Sequence, residues 1–173
     1  MTISRRFLSP KYRLLMLIVG AGVGLDQLSK AVICLALSRF AIVPVIPGFF
    51  NLVHVHNRGA AFGLLANWPE AYASIFFSFA TLIVLAVLAY LFFRLPGNDY
   101  WAATGYSLII AGALGNLIDR VRLGEVIDFL DFYVGRYHWP AFNVADSLIC
   151  LGAGLLCLVI WRAEGHDNVS HPV

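Results

Sequence analysis

Four stretches of this chain are long and oily enough to cross a lipid bilayer, and they limit the fold before any other feature does. They are Leu14–Leu37, Ala71–Phe93, Tyr100–Asp119 and Ala141–Trp161. Each meets the length of about 20 mostly apolar residues that a spanning helix needs. The composition agrees. The 173 residues are 60% hydrophobic and 13% charged, and the mean hydropathy is +0.79. A water-soluble domain could not hide that much apolar surface. The expected fold is therefore an all-α membrane protein with four transmembrane helices, in a single integral membrane domain over 1–173. The first stretch follows "SRRFLSPKYR". It is too long for a signal-peptide core and carries Asp26 and Lys30, so it reads as a retained span.

Four spans place both termini on one side, together with the short loop Arg94–Asp99. The long loops Ser38–Glu70 and Arg120–Pro140 fall on the other. Arg5, Arg6, Lys11, Arg13, Arg94 and Arg162 crowd the terminal side, which predicts cytoplasmic termini. The net charge of +2 gives no reason to expect a nucleic-acid partner. Cys34, Cys150 and Cys157 form no CxxC pair and read as small packing residues.

The first long loop has structure of its own. "FFNLVHVHN" alternates, with Leu52, His54 and His56 on one face and Val53 and Val55 on the other. That predicts a small extracytoplasmic β element between the first two spans. His54 and His56 have the spacing of metal ligands on a strand, but no third ligand stands at a clear spacing. A satisfied or surface histidine pair is the simpler reading, and no metal site is expected.

Polar residues gather on the same side. "AGALGNLIDR" places Asn116, Asp119 and Arg120 on one helical face, with Gly112 and Gly115 permitting close helix approach. "FNVADS" places Asn143, Asp146 and Ser147 on one face of the fourth span. "EVIDFLDF" supplies Asp128 and Asp131, and "NRGAAF" supplies Asn57. Bland readings stand beside these. Asp26 and Lys30 are spaced i, i+4 and can form a structural ion pair. Asp119 and Arg120 could cap the membrane interface. Ser74, Ser78 and Thr81 read as helix-packing residues.

Asp146 stands out as a carboxyl about one turn inside an apolar helix, with no basic residue in the adjacent turns. Asp128 is flanked by "VI" and "FL", and such a setting raises a carboxyl pKa by desolvation. Two carboxyls that share one site hold a proton between them. Such a pair can take a proton from water and give one to a leaving amine. Asp131 stands open as a substitute for Asp128. Other hydrolytic schemes lack their residues: there is no H-E-x-x-H helix and no G-x-S-x-G elbow. Ser29 and Lys30 are helix neighbours that point apart, so they make no dyad.

Taken in order, "DQLSK", "NRGAAF", "AGALGNLIDR", "VIDF" and "FNVADS" resemble the bacterial lipoprotein signal peptidases, also called signal peptidase II. The resemblance implies an aspartic endopeptidase of the bacterial inner membrane that needs no cofactor. It implies an active site toward the periplasmic side and an outer β cradle. Its substrates would be diacylglyceryl-modified prolipoproteins held partly in membrane lipid, cut just before the lipid-modified cysteine. By motif, Asp128 and Asp146 match the catalytic dyad. Asn57, Gly59, Asn116, Arg120, Asn143 and Ala145 match positions that shape the site or hold substrate. Asp26 and Lys30 match a supporting pair, and Asp119 a structural acid. Gly59, Ala60 and Ala61 would let a peptide approach closely. The family's cyclic peptide inhibitor globomycin would be expected to bind.

Two other classes compete. A small transporter would use the intramembrane acids as a proton relay, but four spans without a repeat argue against it. A non-catalytic scaffold would bind lipoproteins and never cut them.

Overall fold

The computed structural model of the protein describes residues 9–58 and 70–167. The order of elements is α1 (Pro10–Ala36), β1 (Ile42–Ile46), β2 (Phe50–Asn57), α2 (Glu70–Arg94), α3 (Tyr100–Leu123), β3 (Val126–Val134), β4 (Tyr137–His138) and α4 (Val144–Asp167). Each of the four helices is long and apolar enough to cross a membrane. They lie where the hydropathy places them. Proline at the first position of α1 sets its start four residues before Leu14, because the missing N–H is one that a helix leaves unpaired there anyway.

The helices are apolar outside and polar inside. In α1 the buried positions include Gly22, Asp26 and Lys30, while Leu17, Leu28 and Leu35 are exposed. Leu35 is 89% exposed and Asp26 is 0% exposed. That inversion suits lipid as the outer solvent, where an unpaired charge is expensive and an aliphatic side chain is at home. The three cysteines are free and lie exposed on the helix surfaces. They are not the interior packing residues that their apolar surroundings suggest.

Helix α3 is central and packs against the other three. Its buried face is built from small residues, among them Ala103, Gly105, Ser107, Ala111, Gly112 and Gly115. A Cβ on Gly112 would overlap the backbone oxygen of Ala145 in α4. Between helices in lipid, close backbone approach of this kind replaces the hydrophobic effect as the source of attraction. At the end bearing the short loop, Lys11 donates to the carbonyls of Phe92 (3.2 Å) and Leu95 (2.7 Å). It thus caps the C-terminus of α2 with positive charge.

The β element is larger than the first loop alone predicts. Four strands form one antiparallel sheet in the order β1-β2-β3-β4. Two come from each long loop. Strand β3 pairs with β2 in a register that sets Val55 opposite Asp128 and Asn51 opposite Asp131. Both long loops therefore lie at the same end of the helices. The β2–β3 register shifts between Leu52 and Val55, so the simple alternation of β2 breaks and Val53 and His54 are both buried. Helix α3 ends at Gly124, whose φ of 77° turns the chain directly into β3. Only glycine takes that left-handed conformation without strain.

The packing makes a paired prediction. Gly112→Ala should lower stability by roughly 1–3 kcal/mol, because its neighbour is backbone and cannot rotate away. Gly20→Ala, with nothing within 4 Å of the added carbon, should be neutral or stabilising by up to about 1 kcal/mol. Thermal unfolding in detergent reads both. Equal midpoints for the two variants would contradict the close approach of α3 and α4.

Candidate active site

The polar residues that the sequence places on one side converge where the sheet meets the helix ends. Lys30 anchors the group. Its ammonium lies 2.9 Å from Asp26 and 2.7 Å from Asp119 and donates to the side-chain oxygen of Asn116 at 3.1 Å. Lys30 is 2% exposed and Asp26 0%. Unpaired ions at this depth would cost several kcal/mol each, so mutual pairing is what allows them to stay charged. The bland reading of Asp26 and Lys30 as an ion pair is thus correct as far as it goes.

Each anchor also holds backbone. Asp26 accepts from the N–H of Ala145 at 2.9 Å, which ties α1 to the first turn of α4. Asp119 accepts from the N–H of Ile127 at 3.2 Å, next to Asp128 on β3. Asp119 is therefore a buried structural acid and not an interfacial cap. Gln27 bridges Asp26, Asp119 and the carbonyl of Gly115 at 2.9–3.2 Å. Gln27, inside "DQLSK", has no role that its residue type alone predicts. Its position next to Asp26 was the available signal.

Asn143 is fully buried and joins the two halves of the site. Its side-chain N–H donates to Asp128 at 2.8 Å, and also reaches Asn116 and the carbonyl of Ile127. Its side-chain oxygen accepts from the backbone N–H of Asp146 at 3.0 Å. Its own backbone N–H donates to the Asp146 carboxyl at 3.2 Å. The last two bonds form a reciprocal cap at the start of α4, in which each residue satisfies the other's free N–H. Helix α4 begins at Val144, so Asp146 sits in its first turn and not a full turn inside. A carboxylate is favourable at that place, at the positive end of the helix dipole. The second Asp146 oxygen accepts from Asn116 at 2.7 Å.

Asp128 is 2% exposed. It accepts from Asn57 at 2.9 Å on one oxygen and from Asn143 on the other. Burial pushes its carboxyl up to about 7, and the charge of Asp146 adds to the rise. Hydrogen bonds from Asn57 and Asn143 and the charge of Lys30 oppose it without cancelling it. Asp131 goes elsewhere. It binds Asn51 at 2.8 Å and His138 at 2.9 Å, on the part of the sheet away from Asp146. Of the two acids, Asp128 is the one that Asn143 joins to Asp146.

Arg120 is half-buried, with its guanidinium over the Phe77 ring and 3.5 Å from the Thr81 hydroxyl. It links α2 to this group and gives the Thr81 hydroxyl a polar partner. Gly59 lies outside the described residues, as do Ala60 and Ala61. A cleft of about 520 Å³ opens beside Asp128, lined by Phe40, Val55, His56, Asn57, Pro140 and Ala141 among others. An apolar groove of about 470 Å³ lies at the opposite end, with Arg13 as its one charged lining residue. It offers no acid–base pair. Among the described residues, no group of three or more His, Cys, Asp or Glu side chains is arranged to hold a metal ion.

Comparison with known proteins points the same way. The family described as signal peptidase (SPase) II matches residues 18–162. The chain is similar to the lipoprotein signal peptidase of Syntrophotalea carbinolica, at 46% identity over 93% of this chain and 96% of that one. It is similar to the lipoprotein signal peptidase of Geobacter metallireducens, at 45% identity over 93% of this chain and 98% of that one. A solved bacterial membrane enzyme, obtained by the in meso method at 2.3 Å, superimposes with a TM-score of 0.77. Its identity is 35%, with 88% of this chain and 90% of that chain covered.

The role of Lys30 can be checked without reference to any activity. Lys30→Met leaves Asp26 and Asp119 buried beside each other with their shared cation gone. It should destabilise the protein by roughly 3–5 kcal/mol, the usual loss when one partner of a buried pair is removed. Adding Asp119→Asn should recover part of that loss. Additive effects in a thermal double-mutant cycle would contradict the shared pairing.

Proposed function

The chain belongs to the signal peptidase II family, and from that premise we propose that it is an aspartic endopeptidase of the bacterial inner membrane. Its substrates are diacylglyceryl-modified prolipoproteins, and it cuts just before the lipid-bearing cysteine. The observation that carries this reading is Asn143, one buried side chain that holds Asp128 and Asp146 in a single hydrogen-bonded unit.

The division of labour follows from the surroundings. Asp128 is desolvated and carries the proton near neutral pH. Asp146 sits at a helix N-terminus and accepts bonds from Asn116 and from the Asn143 backbone, which fix its carboxyl beside Asp128. Asp146 takes a proton from a water poised between the pair. That water attacks the scissile carbonyl, and Asp128 supplies a proton to the oxygen and then to the leaving amine. Asn57 and Asn143 aim the Asp128 carboxyl, and Asn116 aims Asp146. Arg120 offers a planar set of donors to peptide carbonyls entering from the lipid side. The cleft beside Asp128 takes the peptide, while the diacylglyceryl chains stay in the bilayer. Ala145 is fully buried, with its N–H on Asp26 and its backbone oxygen against Gly112. Gly59 belongs to the same peptide-binding segment by its motif.

The same reading places both termini in the cytoplasm and the sheet on the periplasmic side, supported by the arginine and lysine bias and the parity of four spans. A cysteine introduced at Arg136, in a background free of native cysteines, should react with an impermeant reagent added outside the cell. Protection there, with labelling at Asn98, would reverse the orientation.

The chemistry is tested on purified protein with a lipidated prolipoprotein. Asp128→Asn and Asp146→Asn should each lower kcat by roughly 10³-fold or more, and the double variant by little beyond either. Asp131→Asn should stay within about tenfold of the parent. The proton on Asp128 is lost as pH rises through about 7, so kcat/KM should fall on the alkaline side of that value. Arg120→Lys should lower kcat/KM and weaken globomycin without moving this limb. Near-normal turnover by either dyad variant would refute the assignment, whereas a parent protein that binds the precursor and never cuts it would make a scaffold the better reading.

A further inference from the structure

His54 and His56 take no part in the chemistry above, yet their geometry is unusual. Both project from the same face of β2, and their Nε2 atoms lie 3.0 Å apart. His54 Nδ1 is 2.8 Å from the carbonyl oxygen of Leu37. A carbonyl only accepts, so this nitrogen carries the proton and His54 Nε2 presents a lone pair. His56 Nδ1 is 2.8 Å from the Glu125 carboxylate and 2.7 Å from an Arg39 nitrogen. Arg39 also pairs with Glu125 itself. Neutral His56 therefore has two tautomers. With its proton on Nε2 it accepts from Arg39 and bonds to His54. With its proton on Nδ1 it donates to Glu125, and two imidazole lone pairs then face each other.

The second arrangement is that of a two-histidine chelate. Two nitrogens each about 2.0 Å from one ion are about 2.8 Å apart at a right angle and about 3.3 Å apart at the tetrahedral angle. The observed separation lies between these. Each ring also has the outer partner that metal-bound histidines characteristically use, a carbonyl for one and a carboxylate for the other. The two imidazoles are the ligands, with the Cys34 thiol 3.6 Å from His54 Nε2, and no group of three or more such side chains is arranged to hold a metal among the described residues. Water or chloride from the adjoining cleft, which His56 lines, would complete the shell.

We propose that His54 and His56 form a binding site for a divalent copper or zinc ion, reached from the cleft and located one residue before the Asn57 that positions Asp128. Binding shifts the His56 proton from Nε2 to Nδ1, where it meets Glu125, so a neutral site takes the ion without losing a proton from His56. The ion fixes the end of β2 and narrows the cleft. It thereby inhibits cleavage. The inhibition rests on the proposed protease activity, whereas the binding does not.

The test uses full-length protein without an affinity tag, with Cys34, Cys150 and Cys157 changed to serine so that thiols neither bind nor reduce copper. Cu²⁺ alone is titrated in and followed by electron paramagnetic resonance. Saturable binding of one ion with coupling to two imidazole nitrogens is expected. His54→Gln and His56→Gln should each weaken it about 10-fold or more, while His138→Gln leaves it intact. Circular dichroism of each variant before titration separates loss of a ligand from loss of fold. Folded His54→Gln and His56→Gln variants that bind copper like the parent would overturn the site, as would a parent with no saturable binding. Copper should also slow cleavage of a lipidated precursor in the parent and not in His56→Gln. Copper that binds as described but leaves cleavage unaffected would overturn the inhibitory role and leave the site standing.

Discussion

A single buried amide holds the two proposed catalytic carboxyls of this protein together. Asn143 contacts Asp128 from its side chain and Asp146 from its backbone, and it reaches Asn116 and β3 as well. Those contacts come from three elements. The amide can serve them all only if α3, α4 and β3 meet within hydrogen-bond distance of one point. A junction this deeply buried is costly to leave partly satisfied, because each unpaired polar group keeps its full desolvation penalty. The close packing of α3 on α4 through Gly112, and the ion cluster around Lys30, are the conditions under which Asn143 can make its bonds.

The ion cluster shows how the fold tolerates so many acids. Asp26, Asp119 and Lys30 neutralise each other in part, and the two carboxylates also accept from backbone: Asp26 takes the N–H of Ala145 on its other oxygen, and Asp119 takes the N–H of Ile127 on the oxygen that faces Lys30. Those two residues directly precede Asp146 and Asp128. The cluster therefore sets the position of both proposed catalytic carboxyls through the backbone, without touching either side chain. A buried ion pair is weak evidence for net stability. Here its effect is positional, and that accounts for its being built from charged residues where aliphatic ones would pack as well.

Much of this was legible beforehand. Hydropathy located all four helices, since each is a long apolar run. Helical spacing put Asn116, Asp119 and Arg120 together, and the i, i+4 rule paired Asp26 with Lys30. The missing parts depend on non-local contacts. The run "VIDFLDFYV" has no clean alternation, because its strand is buried on both faces over most of its length, so β3 was not recognised. Had it been, strand parity would have separated Asp128 from Asp131 at once. The bulge that buries both Val53 and His54 has no local signature. Cysteine in an apolar helix looks the same whether it faces lipid or the interior. Asp146 seemed an anomaly because the helix start was set at Ala141. Three residues later, the same carboxyl becomes an N-terminal cap.

The central claim is that one proton resides on Asp128 near neutral pH, in the hydrogen-bonded unit it shares with Asp146. Infrared difference spectroscopy on the protein in lipid, between about pH 6 and pH 8 to bracket the raised value, observes that proton directly. The claim predicts a protonated-carboxyl carbonyl stretch at the lower pH that fades as pH rises, is missing in Asp128→Asn, and persists in Asp131→Asn. A band that survives in Asp128→Asn, or a parent protein with no protonated carboxyl at pH 6, would contradict it.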